Sequence, residues 1–233
     1  MEKLIYTGER YVPGQTAVSV QKDHERRYRY VKKLIRGQRV LDVACGSGFG
    51  IKILSSVSPV IVGVDYSFEA VNFAKQNFMR RIDGGVLANA CSVPFADNSF
   101  DTVVSFETIE HLKEPVKFLK EIKRVLAPNG KFYISTPVKK GNSLDQYHLC
   151  EYRIDEFVNL LSRFFSIDKV EGQRFMFSPL FFLFSLEWIN NLKKISLVKS
   201  FYRNCYGKDE IKPFESTTWL TPNFVLVSCK NEK

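Results

Sequence analysis

"RVLDVACGSGFG", Arg39–Gly50, sets an apolar run around one aspartate directly before glycines at 46, 48 and 50. The run is aliphatic and partly β-branched, so it reads as a buried strand. Glycines after a strand permit a tight turn into a helix, because backbone without a Cβ lets N–H groups approach a ligand. The N-terminus of the following helix adds partial positive charge, which suits a carboxylate or phosphate. A glycine loop alone is shared by nicotinamide, flavin and nucleotide proteins. A second acid, Asp65, ends the next apolar run, "VIVGVDY" (60–66). It lies about 20 residues on, where an acid meets ribose hydroxyls.

Outward from this pair, short apolar runs alternate with helical spacing. "GVLANA" (85–90), "FDTVVSF" (100–106) and "KFYISTP" (131–137) read as further strands. "SFEAVNFAKQNF" (67–78) and "EPVKFLKEIKRVLA" (114–127) read as amphipathic helices, the second opened by Pro115 and stopped by "PNG" (128–130). Upstream, Val20–Ile35 has helical periodicity, with Tyr28, Val31, Leu34 and Ile35 on one face. Downstream, "RIDEFVNLLSRFF" (153–165) is helical, "SIDKVEG" (166–172) a strand, and "NFVLVSC" (223–229) the last strand. Apolar strands alternating with helices predict an α/β fold with a mostly parallel sheet covered on both faces.

The 233 residues, 45% of them hydrophobic, suffice for one core and predict a single domain over 1–233. Residues 1–37 form a leader and helix, and 174–221 an apolar insertion. The insertion opens with "RFMFSPLFFLFSLEWI", interrupted by Ser178, Pro179, Ser185 and Glu187, and falls short of the ~20 apolar residues that span a bilayer. Its readings are a helix packed on the core, a lid over the site, or an interfacial surface giving peripheral membrane contact with a lipid-linked substrate. Cys45, Cys91, Cys150, Cys205 and Cys229 are odd in number and scattered, which favours a reducing compartment over a disulfide framework. With no signal peptide in the first residues, the cytoplasm is the expected location. A formal charge of +9 favours phosphorylated ligands, nucleic acid or an anionic surface without choosing among them.

As an ordered set, "VLDVACGSGFG", "VGVDYS", "NACSVPFADNSFDTVVS" and "FLKEIKRVLAPNGKFYISTP" resemble the motifs of class I S-adenosylmethionine-dependent methyltransferases. The resemblance covers Arg39 to Pro137 and extends loosely to the final strand. It implies a Rossmann-like, seven-stranded sheet whose last strand is antiparallel, and S-adenosylmethionine as cofactor. By resemblance, Asp42 and the backbone of Ala44, Cys45, Gly46 and Gly48 hold the methionine part, and Asp65 the ribose diol. Tyr66 packs on adenine. Asn89 stands where the family usually has aspartate, its oxygen able to accept from the adenine amino group without charge. Ala90 contacts the ring, and Ser105 completes the set.

The loop is thus a handle, and chemistry must come from elsewhere. "SFETIEHL" (105–112) follows the fourth strand at the sheet's carboxyl edge. Glu107, Glu110 and His111, at i, i+3 and i+4, share a face if the segment is a helical turn. His148, in "DQYHLCEY" (145–152), follows strand five. Two carboxylates and two imidazoles suit an octahedral Mg²⁺, Mn²⁺ or Fe²⁺ with positions open to substrate oxygens. The pattern resembles the metal site of small-RNA 2′-O-methyltransferases and of ubiquinone-biosynthesis O-methyltransferases. Without a metal, His111 or His148 is the candidate base, with Glu110 beside it.

"YTGERYVPG", "HERRYRY" and "YHLCEYRIDEFVNLL" resemble bacterial methyltransferases found with polysaccharide assembly, in which Tyr11, His24, Arg27 and Tyr28 would meet substrate. The expectation is therefore a methyltransferase acting on a hydroxyl of a sugar or glycan intermediate. Its rivals are a metal-dependent RNA 2′-O-methyltransferase, a quinone or phenol O-methyltransferase, and an inactive cofactor-binding partner subunit. The RNA reading is weakened by the lack of a stacking array of aromatic and basic residues. Oligomeric state is not fixed by the sequence.

Overall fold

Eight strands form one sheet in the order β3-β2-β1-β4-β5-β8-β6-β7 in a computed structural model. It describes residues 12, 14–36, 38–78, 84–139, 146–177, 211–214 and 220–232. The strands are β1 (Arg39–Val43), β2 (Val60–Asp65), β3 (Gly85–Leu87), β4 (Phe100–Phe106), β5 (Leu126–Pro137), β6 (Ser166–Phe177), β7 (Lys212–Pro213) and β8 (Leu220–Lys230). β1 to β5 pair in parallel, and β8 runs antiparallel between β5 and β6. The expected count of seven is corrected to eight, because the short edge strand β7 pairs with β6 at Glu171 and Gly172.

The helices are α1 (Val18–Leu34), α2 (Phe49–Leu54), α3 (Phe68–Asn77), α4 (Pro115–Val125) and α5 (Ile154–Ser162). Pro115 opens α4 at a position where its missing N–H costs nothing. The helix ends at Val125, earlier than "PNG" suggests, and Leu126 already belongs to β5. Ser67 caps α3, its side chain accepting from the Ala70 N–H.

The pleat decides what each strand residue meets. Val40, Ile61, Val104, Tyr133 and Leu226 pack in one core with Tyr28, Val31, Ile35, Ile51 and Leu54 of the α1–α2 side. Leu41, Val43, Val62, Val64, Val103 and Ile134 join the other core, against Phe118, Leu119 and Ile122 of α4 and Phe157 and Leu161 of α5. Leu34 corrects the expected apolar face of α1, being 44% exposed at the helix end, while Tyr28, Val31 and Ile35 are buried.

β6 runs on through Phe177 and β8 begins at Leu220, so strand pairing takes both ends of the segment read as an insertion. The rest of that reading, residues 178–210 and 215–219, lies outside the described residues, as do Tyr11 and the leader motif apart from Val12 and Gly14. No described helix is long and apolar enough to cross a membrane.

Candidate active site

Strand order reverses between β1 and β4, and ligands of open α/β sheets bind at the carboxyl ends beside such a switch. A cavity of about 450 Å³ opens there. Its lining includes Ala44, Cys45, Gly46, Asp65, Tyr66, Asn89 and Ala90, together with His24, Tyr28, Glu107, Thr108, His111, Tyr147 and Leu149.

The loop after β1 is braced from within. Ala44, Gly46 and Gly48 have φ of 61°, 52° and 77°, a left-handed region that costs alanine but not glycine. Cys45 N–H donates to the Val64 carbonyl, Gly48 N–H to the Cys45 carbonyl, and Gly46 N–H to Asp65 Oδ2 at 2.8 Å. These N–H groups are spent inside the protein instead of facing a ligand. Gly50 serves packing: a Cβ there would lie 2.1 Å from the Tyr28 ring.

Asp65 accepts from Gly46 and Ser67 N–H, one on each oxygen, and lines the cavity. Its remaining lone pairs suit a ribose diol. Tyr66 is 69% exposed at the rim, as a stacking surface requires. Asn89 Oδ1 already accepts from the Cys91 N–H at 2.8 Å, which leaves it one further lone pair for an adenine amino group. These features fit S-adenosylmethionine.

Three cofactor assignments stand corrected in place. Ser105 does not line the cavity: the pleat turns it to the α4 side, where its hydroxyl donates to the Val43 carbonyl. Gly48 lies behind the lining. Asp42 is fully buried on the α1 side, and the Tyr28 hydroxyl donates to its oxygens, 3.1 Å from each. Burial, and next the charge of Asp65, push the Asp42 carboxyl up to about 8 against the opposing pull of the Tyr28 hydrogen bond.

Glu110, His111 and His148 each offer a ligand atom within 4.8 Å of the others. His111 Nδ1 is 2.9 Å from the Tyr147 carbonyl, and His148 Nδ1 is 2.8 Å from Glu151 Oε1. Held this way, the His111 ring keeps Nε2 for a proton or an ion. The ring centroids lie 5.0 Å apart, edge to face. Glu110 is fully buried, with Thr136 Oγ1 donating to Oε2 and no hydrogen-bond partner on Oε1 among the described residues. Burial first, then the Glu107 charge, raise its carboxyl well above the ordinary value. His111 lines the cavity, while Glu110 and His148 stand behind it. The donor set fits a divalent ion, although bonds near ~2.1 Å require the donors to draw together.

Glu107 does not join this group, which corrects the four-ligand expectation. The helical turn is a 3-10 turn confined to Ile109–His111, and Glu107 has φ of 55°, so the i, i+3 spacing no longer sets it beside Glu110. Arg27 claims its carboxylate at 3.7 Å, and Ser135 Oγ donates to it at 3.2 Å. Arg27 itself is buried outside the cavity lining, its Nη1 donating to Gln173 Oε1 and its guanidinium stacked over Phe224. The Gln173, Thr136 and Tyr28 contacts were invisible in the sequence, since partners 146, 26 and 14 residues away carry no local pattern.

Residues 41–134 match the family described as "Methyltransferase domain". A Mycolicibacterium smegmatis protein named "Probable S-adenosylmethionine-dependent methyltransferase" is 33% identical over 68% of this chain and 63% of its own length. A ubiquinone biosynthesis O-methyltransferase of Haemophilus ducreyi is 27% identical over 43% of this chain and 45% of its own. The chain thus spans less than two thirds of these curated relatives. The solved structure of the YcgJ protein from Bacillus subtilis superposes with a TM-score of 0.64 at 18% identity, covering 90% of this chain and all of that one, which shows the fold. Sheet order, paired acids and these matches together make residues 41–134 a methyltransferase domain, set in a chain similar to S-adenosylmethionine-dependent methyltransferases.

Proposed function

We propose that the protein transfers a methyl group from S-adenosylmethionine to a hydroxyl oxygen, with a sugar or glycan intermediate as acceptor. The observation that carries transfer to oxygen is the Glu110–His111–His148 group, of which His111 lines the cavity. The cofactor supplies a methyl already activated by its sulfonium, so the chain's task is to align and deprotonate a nucleophile. Asp65 and Asn89 fix the nucleoside, and Glu107, Thr108 and His24 offer polar contacts to an acceptor. As the acceptor oxygen bonds the methyl carbon, the C–S electron pair stays on sulfur and the hydroxyl proton must leave. His111 Nε2 is the ring nitrogen placed to take it. A divalent ion on Glu110, His111 and His148 would lower the hydroxyl pKa, which an alcohol needs at neutral pH.

A second reading, a phenolic or quinone-derived acceptor, is favoured by apolar Phe106, Leu112 and Leu149 on the same stretch of the cavity. It agrees with the likeness to the ubiquinone-pathway enzyme. Labelled methyl from S-adenosylmethionine, offered with nucleotide sugars, catechols and RNA ends, separates the readings. O-methylated sugar is expected. Turnover of catechols alone would move the assignment to the second reading. Cofactor binding without turnover on any acceptor would support a non-catalytic partner subunit.

A further inference from the structure

Helix α1 buries one face and leaves the other to solvent. Between Val18 and Arg36 the sequence carries seven Lys or Arg against two acids, Asp23 and Glu25. The inward charges are spent inside the protein: buried Asp23 accepts from Arg174 Nε at 3.0 Å, and buried Arg27 donates to Gln173. What remains outside is basic. Lys22, Arg26, Arg29 and Lys33 recur at i, i+4, i+7 and i+11, which aligns them in one row about 17 Å long on the helix. Lys22, Arg29 and Lys33 are exposed, and Arg36 extends the row just past the helix end, its Nη1 donating to the Lys32 carbonyl. Arg26 pairs with Asp23 at 3.7 Å, and Arg29 approaches Glu25 at 4.0 Å while staying 61% exposed. A surface pair at that distance is weak, so the row keeps its positive field.

Two apolar residues mark the ends of the row. Val18, one turn before Lys22, is 64% exposed, and Leu34, next to Lys33, is 44% exposed. The boundary between lipid headgroups and acyl chains takes up such side chains while their cationic neighbours stay among the headgroups. A single-stranded nucleic acid calls instead for exposed rings that stack on bases. The aromatic residues of α1 are turned away from the row: Tyr28 is buried, and Tyr30 donates to Glu171 of β6. We propose that the outer face of α1 docks the protein on an anionic lipid surface. Phosphate-bearing headgroups supply the negative charge that the row complements, and Val18 and Leu34 enter the boundary beneath them. The inner face of the same helix carries His24 and Tyr28 into the cavity lining, so docking holds the cavity within one helix diameter, about 10 Å, of that surface. The inference does not depend on which acceptor is methylated.

The test is co-sedimentation with vesicles of phosphatidylcholine alone and of phosphatidylcholine mixed equally with phosphatidylglycerol. The protein should bind the mixed vesicles at least about tenfold more tightly, and added salt should weaken that binding. Each basic residue at such a surface contributes about fivefold in affinity. Lys22→Glu, Arg29→Glu and Lys33→Glu together should therefore lower the affinity by roughly a hundredfold, with cooperative melting retained because all three side chains are exposed. The same charge change by Lys75→Glu, Lys113→Glu and Lys120→Glu, exposed on or beside α3 and α4, should leave binding within about threefold. Equal losses in the two triple variants would mean attraction to net charge alone and would overturn the proposal, as would equal binding to both kinds of vesicle. If a single-stranded oligouridylate binds through these three residues and the mixed vesicles do not bind, the row belongs to nucleic acid and the lipid assignment fails.

Discussion

Asp42 couples stability to pH through its burial. Its folded carboxyl titrates at about 8, against ~3.8–3.9 in an unfolded chain. Below pH ~4 both states hold the proton and Asp42 has no effect. From ~4 to about 8 the unfolded chain releases a proton that the folded chain retains, so this group lowers stability as pH rises. The charged and titratable groups facing it are Tyr28 from α1, Asp65 from β2 and Cys45 from the loop. Asp42→Asn keeps an oxygen for the Tyr28 hydroxyl and removes the titration. It should melt above wild type by a margin that widens as pH rises from ~4 to ~8, reaching on the order of 10 °C or more at the upper end. A gap that is constant with pH would contradict the assignment. Asp65→Ala tests the ribose contact and should cost roughly 1.5–3 kcal/mol of cofactor binding by calorimetry, the range for hydrogen bonds to a charged group. The two acids were legible in the sequence because each ends an apolar run before a turn. Their different surroundings were not. Asp65 is held by backbone N–H groups two and nineteen residues away, whereas Asp42 depends on a side chain from another helix.

Helix α1 brings side chains to the cavity from outside the strands and their loops. His24 and Tyr28 face the cavity, Arg27 pairs with Glu107, and Asp23 and Arg27 meet Gln173 and Arg174 of β6. A buried guanidinium with such partners is costly to break, so Arg27→Ala should destabilise by roughly 3–5 kcal/mol, read from denaturant unfolding. Elements with a strong period were readable in the sequence: α4 carries Phe118, Leu119, Ile122 and Val125 on one buried face. Their ends were less so. Leu34 keeps the helical period yet emerges into solvent, because the core beneath α1 ends at Ile35 and does not extend around the helix. The short β7 has no period to read and exists only through its pairing with β6.

Across the whole molecule, parallel strands with helical crossovers deliver every candidate group to one edge of the sheet. Glu110 and His111 come from the turn after β4, and His148 from the segment after β5, so an ion held by all three would tie two crossovers together. The segment after β5 is already drawn in, since Leu149 and Cys150 N–H both donate to the Glu110 carbonyl. An ion that binds only the folded state raises stability by mass action, about 2.7 kcal/mol at a hundred times its dissociation constant. For a chain of this size that is a rise in Tm of roughly 5–10 °C. Mn²⁺, Mg²⁺ or Fe²⁺ added to chelator-treated protein should produce such a rise without any acceptor present. His148→Ala should abolish it, and Glu107→Gln should keep it, because Arg27 and not the ion holds Glu107. Chelation should then stop methyl transfer while S-adenosylhomocysteine still binds, since Asp65, Asn89 and the glycine loop are not among the three donors. If none of the three ions moves the melting temperature and excess chelator leaves turnover intact, there is no ion at the site. His111 Nε2 is then the base, and His111→Gln should abolish turnover while S-adenosylhomocysteine still binds.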